Sequence, residues 1–152
     1  MRTRIFIRKI SILFLAVSVA LMWLPYGIAM RFVSNPGPPI EYATFYYSFI
    51  SGMPIGYGNW FPIITAILSF AVLLMFIANA ARKTPSRMDA KISVLICLSL
   101  CVIATPLSML VFRGAYAITA IGIMVFAIHT ATLVLQIILK RFSTNTVKHS
   151  CE

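Results

Sequence analysis

Few residues in this chain could do chemistry, and three of them converge: Cys97, Cys101 and His129. Cys97 and Cys101 stand four apart, the spacing that places two side chains on one helix face. Counting sixteen residues in each direction from Arg113 sets His129 opposite Cys97, if the two segments form a hairpin. Two thiols and an imidazole at one depth could hold a soft metal such as zinc or copper(I), or a heme. The competing reading is packing. Cysteine behaves as a small apolar residue, and a neutral histidine can bond to backbone or to Thr130 or Thr132. Cys and His sets without a recognised spacing are weak metal signals, so the expectation is no metal and no cofactor.

Acids are scarcer still. Glu41, Asp89 and Glu152 are the only ones, and none falls in an apolar stretch. Moving a proton or cation through a membrane usually calls for a carboxylate near midplane, so that class of transporter loses ground. The same shortage removes carboxylate pairs for acid–base catalysis and carboxylate-rich metal sites. No phosphate-cradling loop, H-E-x-x-H helix or serine nucleophile elbow is present. The chain therefore reads as non-enzymatic. Gln136, Thr105, Thr119, Thr130 and Thr132 are polar residues among apolar ones; bonding between helices is the plainer use for them, lining a path the sharper one.

The elements that must position these residues follow from composition. Of 152 residues, 61% are apolar and 11% charged, against about half and a quarter in a soluble domain. Four stretches, 10–30, 60–81, 92–112 and 115–139, approach the roughly 20 residues that cross a bilayer. Long unbroken apolar runs suit helices and not the alternating strands of a barrel. The expected fold is an all-α integral membrane protein, a single four-helix bundle. A cleaved signal peptide ending near Ser18 and Ala20 is the rival for the first stretch, but apolar character continues through Leu24.

Residues 31–59 are the long interruption. Asn35-Pro36-Gly37-Pro38-Pro39 cannot be helical and marks a turn. Beyond it Tyr42, Phe45, Tyr46 and Phe49 follow i, i+3, i+4, i+7 spacing, with Glu41, Thr44 and Ser48 opposite; this predicts a short amphipathic helix in the membrane interface. Asn59 suits an N-cap, with Pro62 in the first turn of the helix after it. The candidate binding residues are Arg31, Glu41, Tyr42, Tyr46, Tyr57 and Trp60, either as an anchoring aromatic belt or as a docking surface.

Basic residues fix the expected orientation. Arg2, Arg4, Arg8 and Lys9 precede the first span; Arg82, Lys83, Arg87 and Lys91 fill the short 82–91 loop; Lys140, Arg141 and Lys148 follow the last span. Only Arg31 and Arg113 lie on the other side. Positive charge concentrates on the cytoplasmic side, so both termini are expected there, in a cell membrane. Charge spent at span ends leaves no basic groove for nucleic acid. The expected partners are the bilayer, with anionic lipid at the inner basic residues, and a homo-oligomer or membrane protein partner. Cys151 in the tail adds no disulfide framework. The leading expectation is an accessory or assembly component using the aromatic outer segment; the alternatives are a small oligomeric transporter or channel and, behind it, a metal- or heme-linked redox protein.

Overall fold

The computed structural model describes residues 2–51, 59–81 and 92–148. Four helices, α1 (Arg2–Met22), α2 (Phe61–Ala81), α3 (Ile92–Val111) and α4 (Ala120–Lys148), are each long and apolar enough to cross a membrane. They stand in a ring: α1 and α3 each pack against both α2 and α4, so α2 and α4 face one another across the diagonal. The mean hydropathy of the spans lies between 2.1 and 2.6, yet no more than 39% of any span is buried within the protein. A single layer of helices around one seam leaves most apolar surface facing outward, as suits helices long and apolar enough to cross a membrane.

The all-α expectation holds for the bundle and fails for its cap. Strands β1 (Ile28–Asn35), β2 (Glu41–Tyr47) and β3 (Tyr116–Ile118) form an antiparallel sheet of order β2-β1-β3. The interfacial helix expected at 42–49 is therefore a strand. Tyr, Thr and Phe favour a pleated surface, and the turn at 35–40 folds the segment back on an apolar partner, Ile28 to Val33. Asn35 Oδ1 accepts the Gly37 N–H at 3.1 Å to shape that turn.

That partner strand also corrects the first span. Ile28 to Met30 are apolar because they are buried between β2 and β3, and not because they meet lipid. The helix stops at Met22, ahead of Pro25 and Gly27, and recovers its length by starting at Arg2. Its spanning window is Ile5–Met22, continuous through Ser18 and Ala20. The Arg113-Gly114 connector is likewise longer than a tight turn. The chain turns at Phe112 to Ala115, with Gly114 at φ 91°, then forms β3 before α4 begins at Ala120 instead of 115.

Two apolar clusters occupy the bundle seam. Met22, Ile28, Met30, Phe49, Ala66, Tyr116 and Val125 join sheet to helices. Leu15, Val72, Leu73, Phe76, Val94 and Leu98 fill the half away from the sheet.

Candidate functional site

Between those clusters lies a polar layer to which α2, α3 and α4 contribute. Ser69 sits between Ala66 and Val72 on α2, Cys101 between Leu98 and Ala104 on α3, and His129 four residues beyond Val125 on α4; all three are 1% exposed or less. The His129 Nε2 lies 2.7 Å from Ser69 Oγ, a bond that crosses the diagonal of the ring. Cys101 Sγ is 3.7 Å from Ser69 Oγ and donates at 3.8 Å to the Thr65 carbonyl.

The hydrogens in this layer can be assigned by elimination. His129 Nδ1 lies 2.8 Å from the Val125 carbonyl, which can only accept, so Nδ1 carries a hydrogen. In the neutral ring Nε2 is then an acceptor, and Ser69 donates to it. The same hydroxyl lies 2.6 Å from the Thr65 carbonyl. One hydrogen therefore serves two acceptors, and Ser69 is the shared joint of the layer.

Cys97 is not part of it. That thiol is half-buried against the apolar cluster of Leu15, Val72 and Leu98. The residue beside the histidine layer is Cys101, one turn later. The reason is the chain inserted between the helices: Cys101 lies ten residues before Val111 and His129 nine after Ala120, whereas a symmetric count from Arg113 ignores β3. Among the described residues no group of three or more His, Cys, Asp or Glu side chains could hold a metal ion.

Polar side chains continue above and below this layer. Toward the sheet, buried Asn59 donates from Nδ2 to Ser108 Oγ at 2.6 Å, and its Oδ1 accepts the Phe61 N–H at 3.3 Å, so the expected cap also ties α2 to α3. Tyr116 hydrogen-bonds to the same Ser108; burial pushes its phenol above the ordinary range, and that bond draws it partly back. Away from the sheet, Gln136 Nε2 donates to Ser11 Oγ at 2.9 Å, joining α4 to α1. The Gln136 Oε1 and the fully buried Ser18 Oγ have no hydrogen-bond partner among the described residues. Thr130 and Thr132 bond back to the carbonyls of Phe126 and Ile128 on their own helix, and Thr119 Oγ1 caps α4 through the Gly122 N–H while donating to the Gly27 carbonyl.

The second candidate is the sheet. Its faces follow from the register: Ile28, Met30, Phe32, Ala43, Phe45 and Tyr47 share the inward face, and Arg31, Val33, Tyr42, Thr44 and Tyr46 the outward one. Tyr26 meets Tyr46 edge-to-face at 5.5 Å. Arg31 pairs with Thr44 and Glu41 with Asn35. Tyr42, Tyr46 and Trp60 are well exposed. Tyr57 lies outside the described residues, as do the basic loop 82–91 and Cys151.

The edge of this sheet is not legible in the sequence, because the aromatic spacing of Tyr42, Phe45, Tyr46 and Phe49 fits a helical period where a strand forms. Backbone direction identifies that edge. The Arg31 N–H donates to the Ala115 carbonyl at 2.8 Å, so at Arg31, and at alternate residues, β1 turns its polar groups toward β3. Ile28, Met30 and Phe32 then bond to Tyr47, Phe45 and Ala43. Tyr42, Thr44 and Tyr46 are left with N–H and C=O directed away from β1, along an edge that is open among the described residues. Compared with family models, curated proteins and solved structures, the chain gives no match.

Proposed function

We propose that this protein is a non-enzymatic assembly component of a cell membrane, which holds a partner by adding an extended strand to the open edge of β2. The observation that supports this reading is the unprotected edge. Exposed edge strands are ordinarily blunted by lysine, proline or a bulge. Glu41–Tyr47 holds no lysine or proline, the one irregularity of its ladder lies on β1 between Val33 and Asn35, its only charge is Glu41 at one end, and it exposes Tyr42, Phe45 and Tyr46. Strand addition takes affinity from main-chain bonds and specificity from alternating side chains, and aromatic residues are the common anchors. The bundle supplies a base for the sheet, and the basic clusters support an orientation with both termini in the cytoplasm, the sheet outside and the inner lysines and arginines near anionic headgroups.

The test is capture from the membrane in mild detergent. A stoichiometric partner or a defined homo-oligomer is expected, lost on Thr44→Pro, because proline removes the edge N–H while edge strands tolerate it. Recovery of a lone monomer overturns the reading. Orientation is checked separately: an impermeant thiol probe added outside should label Tyr42→Cys and spare Ser86→Cys.

A second reading draws on the polar seam. Gln136 Oε1 and Ser18 Oγ, buried without partners among the described residues, suit a small oligomeric transporter or channel, since unpartnered polar groups in a dry core are costly unless water or a solute visits them. It requires solute flux in proteoliposomes that changes on Gln136→Leu.

A further inference from the structure

We infer that the strand added to β2 is β2 of a second copy, in antiparallel register about Thr44. This rests on the assembly reading above and names the partner.

The edge is complementary to itself in one register only. Its outward backbone groups belong to Tyr42, Thr44 and Tyr46, a set centred on Thr44. A two-fold axis at Thr44 sets Tyr42 against the partner copy's Tyr46 position and Thr44 against its own counterpart. Each facing pair then exchanges two main-chain bonds, and no edge N–H or C=O remains open. Sliding by two residues leaves one end of the set unpaired. Sliding by one turns bonding groups toward residues whose own groups point inward.

The side chains agree with this register. On the outward face, tyrosine meets tyrosine on either side of a threonine pair. On the inward face, the small Ala43 meets the large Phe45. Aromatic pairs and threonine pairs both favour antiparallel neighbours. Glu41, the strand's one charge, comes opposite Tyr47, so no like charges meet.

Both copies can stand in one membrane. The inward-facing Ile28 and Met30 pack with Met22 of α1, Ala66 of α2 and Val125 of α4, so that face looks down the bundle. An axis perpendicular to the sheet then runs along the bundle, and a rotation about it leaves both bundles inserted the same way. Glu41, Tyr42, Thr44, Phe45 and Tyr46 are exposed on both faces of the strand, so the edge stands clear of the protein's own helices. Two three-stranded caps would become one continuous sheet, an isologous contact of the kind that closes dimers.

The experiment is cysteine cross-linking of the full chain in native membranes, with Cys151→Ser and a mild copper oxidant. In a main-chain-bonded antiparallel pair the Cα atoms lie about 5.5 Å apart, within disulfide reach. Thr44→Cys is expected to give a disulfide-linked dimer. Ala43→Cys would face its own copy only on the diagonal, about 7–8 Å away, and should cross-link several-fold less. The pair Ala43→Cys with Phe45→Cys should restore the dimer. The inference is overturned if Thr44→Cys stays monomeric, or if single cysteines at 43, 44 and 45 cross-link equally. If Thr44→Cys stays monomeric while the parent chain retains a different stoichiometric partner that Thr44→Pro releases, the second-copy inference fails and the assembly function stands. If Thr44→Pro releases nothing, both fail.

Discussion

The diagonal bond between Ser69 and His129 makes an asymmetric prediction. Ser69→Ala removes the hydroxyl that donates to His129 Nε2, leaving a buried acceptor with no other hydrogen-bond donor shown among the described residues. An unsatisfied buried group costs about 1–3 kcal/mol, and alanine returns a few tenths through helix propensity. The expected loss is about 1–2 kcal/mol. His129→Leu is different, because Ser69 keeps the Thr65 carbonyl at 2.6 Å as an acceptor and nothing is orphaned. Its cost should stay within about 0.5 kcal/mol, since apolar replacement of similar volume is close to neutral. The double variant should therefore resemble His129→Leu alone. The assay is the thermal midpoint in mild detergent, where 1 kcal/mol corresponds to about 2–4 °C for a chain near this size. If His129→Leu costs as much as Ser69→Ala, Ser69 is not the shared joint and the hydrogen assignment is wrong.

Three further outcomes follow from the same geometry. Asn59→Ala should cost about 2 kcal/mol, combining a lost cap with a lost bond to Ser108, while Asn59→Ser keeps the cap and should cost about half as much by the same thermal assay. Tyr116 has its phenol raised by burial, so folding gains from the neutral form; that stability is complete below the unfolded value of about 10 and is lost as pH rises through the folded one. Midpoints at pH 8 and pH 11 should therefore differ more for the parent than for Tyr116→Phe. At Gly122 an added Cβ would lie 2.9 Å from Ile118 Cγ1 and 3.1 Å from the Gly27 carbonyl, so Gly122→Ala should destabilise by about 1–3 kcal/mol despite its better helix propensity, again read as a lowered midpoint.

The sequence alone determined the parts that depend on local chemistry. Four helices followed from the length of the apolar runs, since backbone in lipid must satisfy itself within the segment. The cap at Asn59 followed from residue type, and the turn at 35–39 from its prolines and glycine. The polar importance of His129 was legible too, because an ionisable group inside an apolar run must find a partner.

The tertiary structure decided what depends on distant neighbours. Ile28 to Met30 look the same in sequence whether they meet lipid or a sheet, and only pairing with Phe45 to Tyr47 and with Tyr116 to Ile118 distinguishes the two. Tyr42, Phe45, Tyr46 and Phe49 fit a helical period, but a strand partner within hairpin reach bonds the backbone of Ala43, Phe45 and Tyr47 and buries part of one face, which an isolated short helix cannot match.

The choice of Cys101 over Cys97 beside His129 was set by the residues that β3 inserts between α3 and α4, which shift the two helices by a turn. Ser69, the centre of the polar layer, carried no signal of its own, because a serine in an apolar helix usually bonds back to its own carbonyls. Only the ring of four helices, which sets α2 across from α4, brings its hydroxyl to the histidine.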